Sequence, residues 1–330
     1  MIELKISSND SGQRLNKYLL KYLNNAPSSF IYKMIRKKNI VLNDKKAKGD
    51  EILSANDSVK LYLSDDTIKK FRNSNTLNVA MNTGNNSAKF DLQILYTDTD
   101  VLAVHKPAGI LSQKSQKDDI SINEHIINYC YNNYDMALFQ TFKPSICNRL
   151  DRNTSGIILA GKTLKGSQYL SEKLKSRDID KYYYTIVNGL ISNEIHSIAY
   201  IKKDKDNNIS EVISEEIYKQ KHINVSEYDK IETIFIPVSS NHKFTLLKIK
   251  LITGKSHQIR AHLKNLGFPI IGDTKYGSKN INLYIKNTYK LTHHLLHAGE
   301  CIIDNIIIKD PLPELFKNIC ENEGLETKDI

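Results

Sequence analysis

Cysteines and long apolar runs are scarce in this sequence. The four cysteines of the 330 residues are scattered and form no CxxC pair, which disfavours a disulfide framework or a zinc site and is typical of reduced thiols. No apolar run reaches the roughly 18 residues of a membrane span, and residues 1–10 lack the apolar segment of a signal peptide. We therefore expect a soluble, cytoplasmic protein without membrane contact.

Acidic residues are outnumbered by basic ones. The chain has 47 Lys and Arg residues against 37 Asp and Glu residues, a formal net charge of +10. This excess favours a polyanionic partner, with nucleic acid as the first candidate, although many lysines will be solvated surface. The length predicts roughly two domains.

Residues 1–63 have the pattern of a small unit. Helical spacing over 14–20 is followed by a second predicted helix over 30–38, with a serine N-cap and the left-handed residue Asn39 at its end. One face of this helix is apolar and the other is basic. Such a face predicts phosphate contacts, and a merely solvated amphipathic helix is the alternative. Its basic residues include Lys33, Arg36 and Lys37.

A predicted hairpin closes this unit, with strands at 40–42 and 58–63. Residues 64–89 are first charged and then rich in Asn, Ser and Thr, which predicts a linker too polar to bury. Within it, residues 77–81 could pack only transiently.

Residues 90–330 are the predicted second domain, in which hairpins mix with scattered helices. The predicted strands are 92–96, 101–105, 157–160, 181–189, 244–252 and 295–308, and the predicted helices are 122–131, 164–176 and 258–266. This mixture favours an α+β fold over regular βαβ alternation.

One stretch, residues 148–160, organises the second domain. Asp151 lies between Arg149 and Arg152, and a predicted tight turn over 153–156 leads into a buried strand. A carboxylate held between cations on a loop at a sheet edge is a candidate catalytic group. A structural aspartate paired with an arginine is the alternative.

Two other patterns suggest ligands without the required context. Residues 156–163 match the P-loop spacing GxxxxGKT, but the four middle residues are themselves the predicted strand and cannot wrap a phosphate. His257 and His262 are five residues apart with no Glu between them, unlike a zinc helix. We expect these and the cluster at 293–297 to be hydrogen-bonded histidines, with no metal.

Two polar residues near predicted strands complete the candidate set. Arg260 lies in the first turns of the helix that follows a Thr-Gly turn, where we expect it to face open space. A plain surface arginine is the alternative. Tyr183 lies on the strand face opposite Tyr182 and Tyr184, and an inward tyrosine is usually core.

The N-terminal unit resembles the S4 RNA-binding domain. The family pattern runs, in order, Arg-Leu-Asp, Ser-Arg, Ile-(Arg/Lys), Gly, Val-x-Val-Asn-Gly and Gly-Asp. The corresponding stretches here, in the same order, are Arg14–Asn16, Ser29–Phe30, Ile35–Arg36, Asn39, Ile40–Asp44 and Asn56–Asp57. Asn replaces Gly twice, which its tolerance of left-handed backbone permits. Phe30 stands where the family has Arg. The resemblance implies RNA binding.

The second domain resembles the RluA-type RNA pseudouridine synthases over nearly its whole length. The motifs that carry the resemblance are His105–Gly109, Asn148–Gly156, Lys181–Gly189, Thr253–His262, Gly267–Asp273 and Leu296–Ala298. Departures from the family pattern are Asn148 for His, His105 for Asn, Lys255 for Arg and Ala261 for Val.

This resemblance implies isomerisation of uridine in RNA to its C-glycoside, with no cofactor, on a central mixed and largely antiparallel sheet. Asp151 would start the reaction as nucleophile or base, Tyr183 would stack on the uracil, and Arg260 would pair with Asp151. Further RNA contacts are implied at Arg149, Arg152, Thr154, Lys255, His257 and Gln258.

The expected partner is RNA, bound by a monomeric enzyme. Large-subunit ribosomal RNA is the first expectation, because S4-like heads occur in such enzymes, and tRNA is the second. A non-catalytic RNA-binding or ribosome-assembly factor is the alternative. The presence of Asp151, Tyr183 and Arg260 in the matching positions weighs against it.

Overall fold

A four-stranded sheet and three helices form the N-terminal part of the chain. The computed structural model describes residues 1–72, 91–116, 118–134, 139, 141–204, 206–220 and 227–328. The sheet has the order β1-β4-β2-β3. Its strands are β1 (Ile2–Lys5), β2 (Ile40–Leu42), β3 (Lys45–Lys46) and β4 (Ser58–Leu61), and the helices are α1 (Leu15–Tyr22), α2 (Ser28–Arg36) and α3 (Asp65–Phe71). Apolar side chains of the helices and strands share one core.

The structure corrects three local predictions in this part. Helix α2 begins at Ser28 with Pro27 as its N-cap, so no serine caps it. The left-handed residue after it is Lys38, with a φ of 59°, rather than Asn39. Helix α3 occupies the start of the predicted linker, and its Ile68 is buried in the N-terminal core. The rest of that linker, including residues 77–81, lies outside the described residues.

An eleven-stranded sheet dominates the remainder. Its main path is β11-β10-β12-β13-β9-β14-β8-β6-β5, with β15 on β14 and β7 on β8. The strands are β5 (Ile94–Thr97), β6 (Val101–Lys106), β7 (Ser145–Ile146), β8 (Ser155–Gly161), β9 (Ile179–Asn188), β10 (Ile195–Asp204), β11 (Ile209–Ser214), β12 (Asp229–Ser240), β13 (Phe244–Leu251), β14 (Leu296–Ile303) and β15 (Ile306–Lys309). Only β8 and β14 pair in parallel among the described strands, so the α+β prediction with a largely antiparallel sheet is confirmed.

Helices cover both faces of this sheet. They are α4 (Ile122–Asn133), α5 (Leu164–Ser176), α6 (Glu215–Gln220), α7 (Gln258–Asn265), α8 (Lys279–Tyr289) and α9 (Glu314–Asn322). Helices α4 and α7 share a core with Tyr183, whereas α8 and α9 share another with Tyr184, which confirms that these tyrosines face opposite ways. The predicted strand 295–308 is instead the hairpin β14–β15, which turns at the left-handed residue Asp304.

His262 fastens helix α7 to the sheet, and we expect it to make the fold acid-sensitive. Its ring nitrogens lie 2.9 Å from Ser197 Oγ and 3.2 Å from Thr233 Oγ1. Burial lowers the pKa of His262 from 6.5 to about 4. Between these values the unfolded chain binds a proton that the folded chain does not, so stability falls as the pH drops through this window, by about 3 kcal/mol. Urea unfolding across this window should show the loss.

A His262→Asn variant is the control, because it removes the titrating ring. Its free energy of unfolding should depend less steeply on pH than that of the wild type over the same window. Equal slopes for the two proteins would contradict the assignment.

Candidate active site

The loop that carries Asp151 is fastened on both sides. The backbone amide and carbonyl of Leu150 both hydrogen-bond to the Ser112 hydroxyl, at 2.9 and 2.8 Å. The turn spans Asp151 to Thr154, whose amide donates to the Asp151 carbonyl at 3.1 Å. It therefore lies earlier than the predicted turn at 153–156, and Gly156 already belongs to β8.

Gly156 is required by close packing rather than by a turn. Its φ is +121°, and a Cβ atom there would lie 2.3 Å from the carbonyl oxygen of Ala298 on β14. A side chain would therefore separate the only parallel strand pair of the described sheet and displace the loop next to Asp151.

Arg260 connects two carboxylates. Its Nη1 donates to Asp151 Oδ2 at 2.9 Å, while Nε and Nη2 donate to Asp273 at 2.7 and 3.0 Å. The expectation that Arg260 faces open space is wrong, because only 5% of the residue is exposed. The implied pairing with Asp151 is present, and it holds the guanidinium in a fixed plane.

Asp273 also belongs to this site, although the sequence analysis did not predict it as a site residue. It is fully buried, and its Oδ1 also accepts the amides of Lys275 and Tyr276. Burial raises the pKa of Asp273, but the hydrogen bonds and charge of Arg260 outweigh burial, and the resulting pKa lies below the usual value. The carboxylate therefore stays ionised and orients Arg260.

The turn before α7 brings three predicted residues to the cleft. The backbone of His257 has a left-handed conformation, and its Nε2 atom lies 3.8 Å from Asp151 Oδ2. Gln258 is buried, and its side-chain oxygen accepts the Lys255 amide and the Thr253 hydroxyl, both at 3.0 Å. This makes Gln258 a brace of the turn. The Lys255 ammonium reaches out to Asp229 at 2.8 Å.

Tyr183 and Thr154 border the same space from β9 and the Asp151 loop. Tyr183 is 7% exposed, and burial raises its pKa, so the phenol keeps its proton at neutral pH. The Thr154 hydroxyl lies 2.9 Å from Nε2 of His294 and is itself buried. Tyr183 therefore offers a ring and a hydroxyl to a ligand, whereas Thr154 supports the loop.

These residues line a cleft of about 1150 Å³. Its charged lining is strongly basic, with only two carboxylates among the lining residues, Asp151 and Asp229. The lining cations are Lys114, Arg149, Arg152, Arg177, Lys181, Lys203, Lys230, Lys255, Arg260 and Lys275. The cleft therefore suits a polyanion with one reactive group facing Asp151.

The predicted basic face of the N-terminal part is separate from this cleft. Lys33, Arg36 and Lys37 are exposed on and just after α2. Lys33 and Arg36 border a shallow depression of about 430 Å³ together with Tyr32. Among the described residues, the α2 cations thus form a basic surface distinct from that of the cleft.

The stretch with P-loop spacing and the histidine cluster both make structural contacts. Residues 156–161 are strand, and the buried Lys162 ammonium donates to the hydroxyls of Thr97 and Tyr134 at 2.8 and 3.1 Å. His297 lies 2.9 Å from the Ser155 hydroxyl, a structural hydrogen bond. Within the described part of the chain, no cluster of three potential metal ligands occurs and no helix is long and apolar enough to cross a membrane.

Lys106 anchors the Asp151 loop from beneath, a role the sequence pattern did not indicate. It is fully buried, and its ammonium donates to the carbonyls of Pro107, Ile110 and Arg152 at 2.8 to 3.0 Å. Burial lowers its pKa to about 7, and the charge of Asp151 opposes this shift.

Replacing Lys106 with methionine should weaken both the fold and the site. Three carbonyls would lose the buried donor that they share, so we expect the free energy of unfolding to fall by about 3 kcal/mol and activity by at least ~10-fold. Urea unfolding and a turnover assay measure the two effects. Lys165→Met removes an exposed lysine and should change neither; equal behaviour of the two variants would refute the anchoring role.

Comparison with known proteins identifies the class. A family model described as RNA pseudouridylate synthase matches residues 100–265. Human RNA pseudouridylate synthase domain containing 4 has a TM-score of 0.54 and 19% identity, covering 71% of this chain and 94% of that chain. The human RNA pseudouridylate synthase domain containing 1 has a TM-score of 0.52. The fold is therefore that of a pseudouridine synthase.

Curated relatives extend the similarity to nearly the whole chain. The ribosomal large subunit pseudouridine synthase C of Buchnera aphidicola subsp. Baizongia pistaciae is 29% identical, covering 97% of this chain and 96% of the relative. An uncharacterized RNA pseudouridine synthase of Mycoplasma genitalium is 30% identical, covering 91% of this chain and 88% of the relative. This chain belongs to the RNA pseudouridylate synthase family, in its RluA-type branch, and is an isomerase that acts on RNA.

Proposed function

We propose that this enzyme converts one or more uridines of large-subunit ribosomal RNA to pseudouridine. The carboxylate of Asp151, bound by Arg260 in a basic cleft, is the observation that carries the proposal. The choice of RNA rests on relatives named ribosomal large subunit pseudouridine synthase C. The proposal takes the enzyme to be a cytoplasmic monomer.

The chemistry needs no group from outside. The bond from C1′ to N1 breaks, the uracil rotates, C5 bonds to C1′, and the hydrogen leaves C5 while N1 gains one. Asp151 starts the reaction as nucleophile or base, and Arg260 orients it. Tyr183 stacks on the uracil and keeps a hydroxyl available for proton transfer.

The predicted RNA-binding arginines and lysine of the cleft have different tasks. Arg149, in the cleft lining, fills the space that the flipped uridine leaves in its stack, at an unstacking cost of a few kcal/mol. Arg152 and Lys255 bind phosphates from exposed positions.

An S4-like RNA-binding unit, predicted as residues 1–63 and extended by α3, precedes the catalytic domain of residues 90–330. The residues between them connect the two domains. The exposed cations of α2 support this division into an RNA-binding unit and a catalytic domain, because they lie apart from the cleft.

Mapping of pseudouridine across ribosomal RNA and tRNA in cells that lack this protein tests the function. Positions lost on deletion and restored by the wild-type gene should lie in large-subunit ribosomal RNA. Loss confined to tRNA would make it a tRNA enzyme. An unchanged map would favour a binding or assembly role. In vitro, tritium release from RNA labelled at C5 of uridine follows the same reaction, because the C5–H bond is lost.

The basic face of α2 should add affinity that salt removes. Replacing Lys33, Arg36 and Lys37 with alanine should reduce the slope of log affinity against log salt by about 2 to 3, with little effect on the chemical step. Filter binding of an unmodified ribosomal RNA transcript measures this. Alanine at Lys279, Lys286 and Lys290, exposed on and around α8, is the matched control, and equal slopes for both variants would contradict the proposal.

A further inference from the structure

His257 and Arg260 approach the same oxygen of the catalytic carboxylate. His257 Nε2 lies 3.8 Å, and Arg260 Nη1 2.9 Å, from Oδ2 of Asp151. No described residue makes a hydrogen bond with the other oxygen, Oδ1, and the Asp151 side chain is 29% exposed towards the cleft. The two carboxylate oxygens therefore have different surroundings.

The hydrogen bonds behind His257 determine which ring nitrogen carries its hydrogen. Nδ1 lies 3.0 Å from the Tyr276 hydroxyl, which accepts the Ser210 backbone amide at 2.6 Å. An amide only donates, so the phenol keeps its own hydrogen to donate elsewhere. Nδ1 is the one other hydrogen-bond partner of this buried hydroxyl among the described residues. Nδ1 therefore accepts, and the ring hydrogen lies on Nε2, towards Asp151.

Several contacts keep this arrangement in place. Ser210 lies near the start of β11, and its hydroxyl also donates to the Ser256 carbonyl at 2.9 Å. The Lys275 ammonium donates to the Asn208 carbonyl at 2.7 Å. The β10–β11 hairpin is thus fastened to both segments that flank the site, so it holds Tyr276 against His257.

The charges around His257 are compatible with a neutral ring. Burial lowers the pKa of His257, and so do the charges of Arg260 and Lys275, whereas Asp151 and Asp273 raise it. The balance leaves the pKa below its ordinary value. A neutral ring has one hydrogen, and Tyr276 directs that hydrogen to Nε2.

We propose that His257 is a positioning residue: Arg260 binds Oδ2 of Asp151 at 2.9 Å, and the Nε2–H of His257 directs its partial positive charge at the same oxygen from 3.8 Å, so that Oδ1 is the oxygen presented to the uridine. This rests on the proposed function. It assigns distinct tasks to the two oxygens, one fixed by the protein and one free to react. It also connects the β10–β11 hairpin to the reacting group through Tyr276.

Two substitutions of His257 test whether the site needs an N–H group near the position of Nε2 or the imidazole ring itself. His257→Gln places an amide nitrogen near the position of Nε2, whereas the shorter His257→Asn cannot reach Asp151 but tolerates the left-handed backbone, whose φ is 56°. With tritium-labelled ribosomal RNA transcript, Gln should retain kcat within about threefold and Asn should lose about tenfold, with KM unchanged in both. Wild-type kcat in the Asn variant, or equal losses in both, would overturn the proposal.

Nuclear magnetic resonance of the histidine ring nitrogens tests the same arrangement without RNA. In the wild type at neutral pH, Nδ1 should be bare and Nε2 protonated, and Tyr276→Phe should mix the two tautomers. Asp151→Asn should lower the pKa of His257 further, because Asp151 raises it. A hydrogen on Nδ1, or an unchanged pKa, would refute the proposal. If the wild type releases no tritium from this RNA, the proposed substrate fails while the spectra still decide the role of His257.

Discussion

Asp151→Asn is expected to lower the rate of isomerisation by at least ~10⁴-fold while RNA affinity stays within about threefold. The amide has nearly the same shape and can still accept from Arg260 through its oxygen. It lacks the negative charge that a nucleophile or base needs. Because the cleft has ten basic lining residues, the loss of one carboxylate does not weaken attraction of the RNA backbone.

Tritium release and filter binding on one transcript measure the two quantities separately. Asp229→Asn is the matched control, since it removes the other carboxylate of the cleft lining, an exposed partner of Lys255. That variant should retain activity within a few-fold. An Asp151→Asn enzyme with more than about a tenth of wild-type activity would show that the carboxylate is not the group that starts the reaction.

The site residues that could be predicted are those placed by short-range patterns. Strand alternation correctly placed Tyr183 on the face opposite Tyr184. The change from charged to apolar residues at 148–160 correctly put Asp151 on a loop before a buried strand. The pairing of Arg260 with Asp151 followed only from family resemblance, since 109 positions separate the two residues.

Residues whose roles depend on tertiary packing were missed. Asp273 and Lys106 are buried titratable residues, and a sequence pattern shows neither that they are buried nor which groups bind them. Residues 195–240 were not assigned to strands, although β10 to β12 lie there and Ser210 supports the site. Helix α3 was predicted to be linker because most of its residues are charged or polar. Only Ile68 among its residues is buried.

Arg260→Met should cause the largest combined loss of stability and activity. Asp273 has no exposed surface, so removing Arg260 leaves a buried carboxylate without its counter-ion, at a cost of about 3 to 5 kcal/mol in the free energy of unfolding. Activity should fall at least ~10³-fold, because Asp151 loses the donor that orients it. Arg260→Lys should rescue little, since a single ammonium cannot bind two carboxylates in the observed fork.

The double variant Arg260→Met/Asp273→Asn separates these two losses. Asparagine removes the buried charge yet keeps an oxygen for the amides of Lys275 and Tyr276, so most of the lost stability should return. Activity should not return, because nothing replaces the bond from Arg260 to Asp151. Urea unfolding and tritium release on the single and double variants measure both. If activity recovered together with stability, Arg260 would serve only the fold; if Arg260→Met were as stable as the wild type, Asp273 would not depend on it.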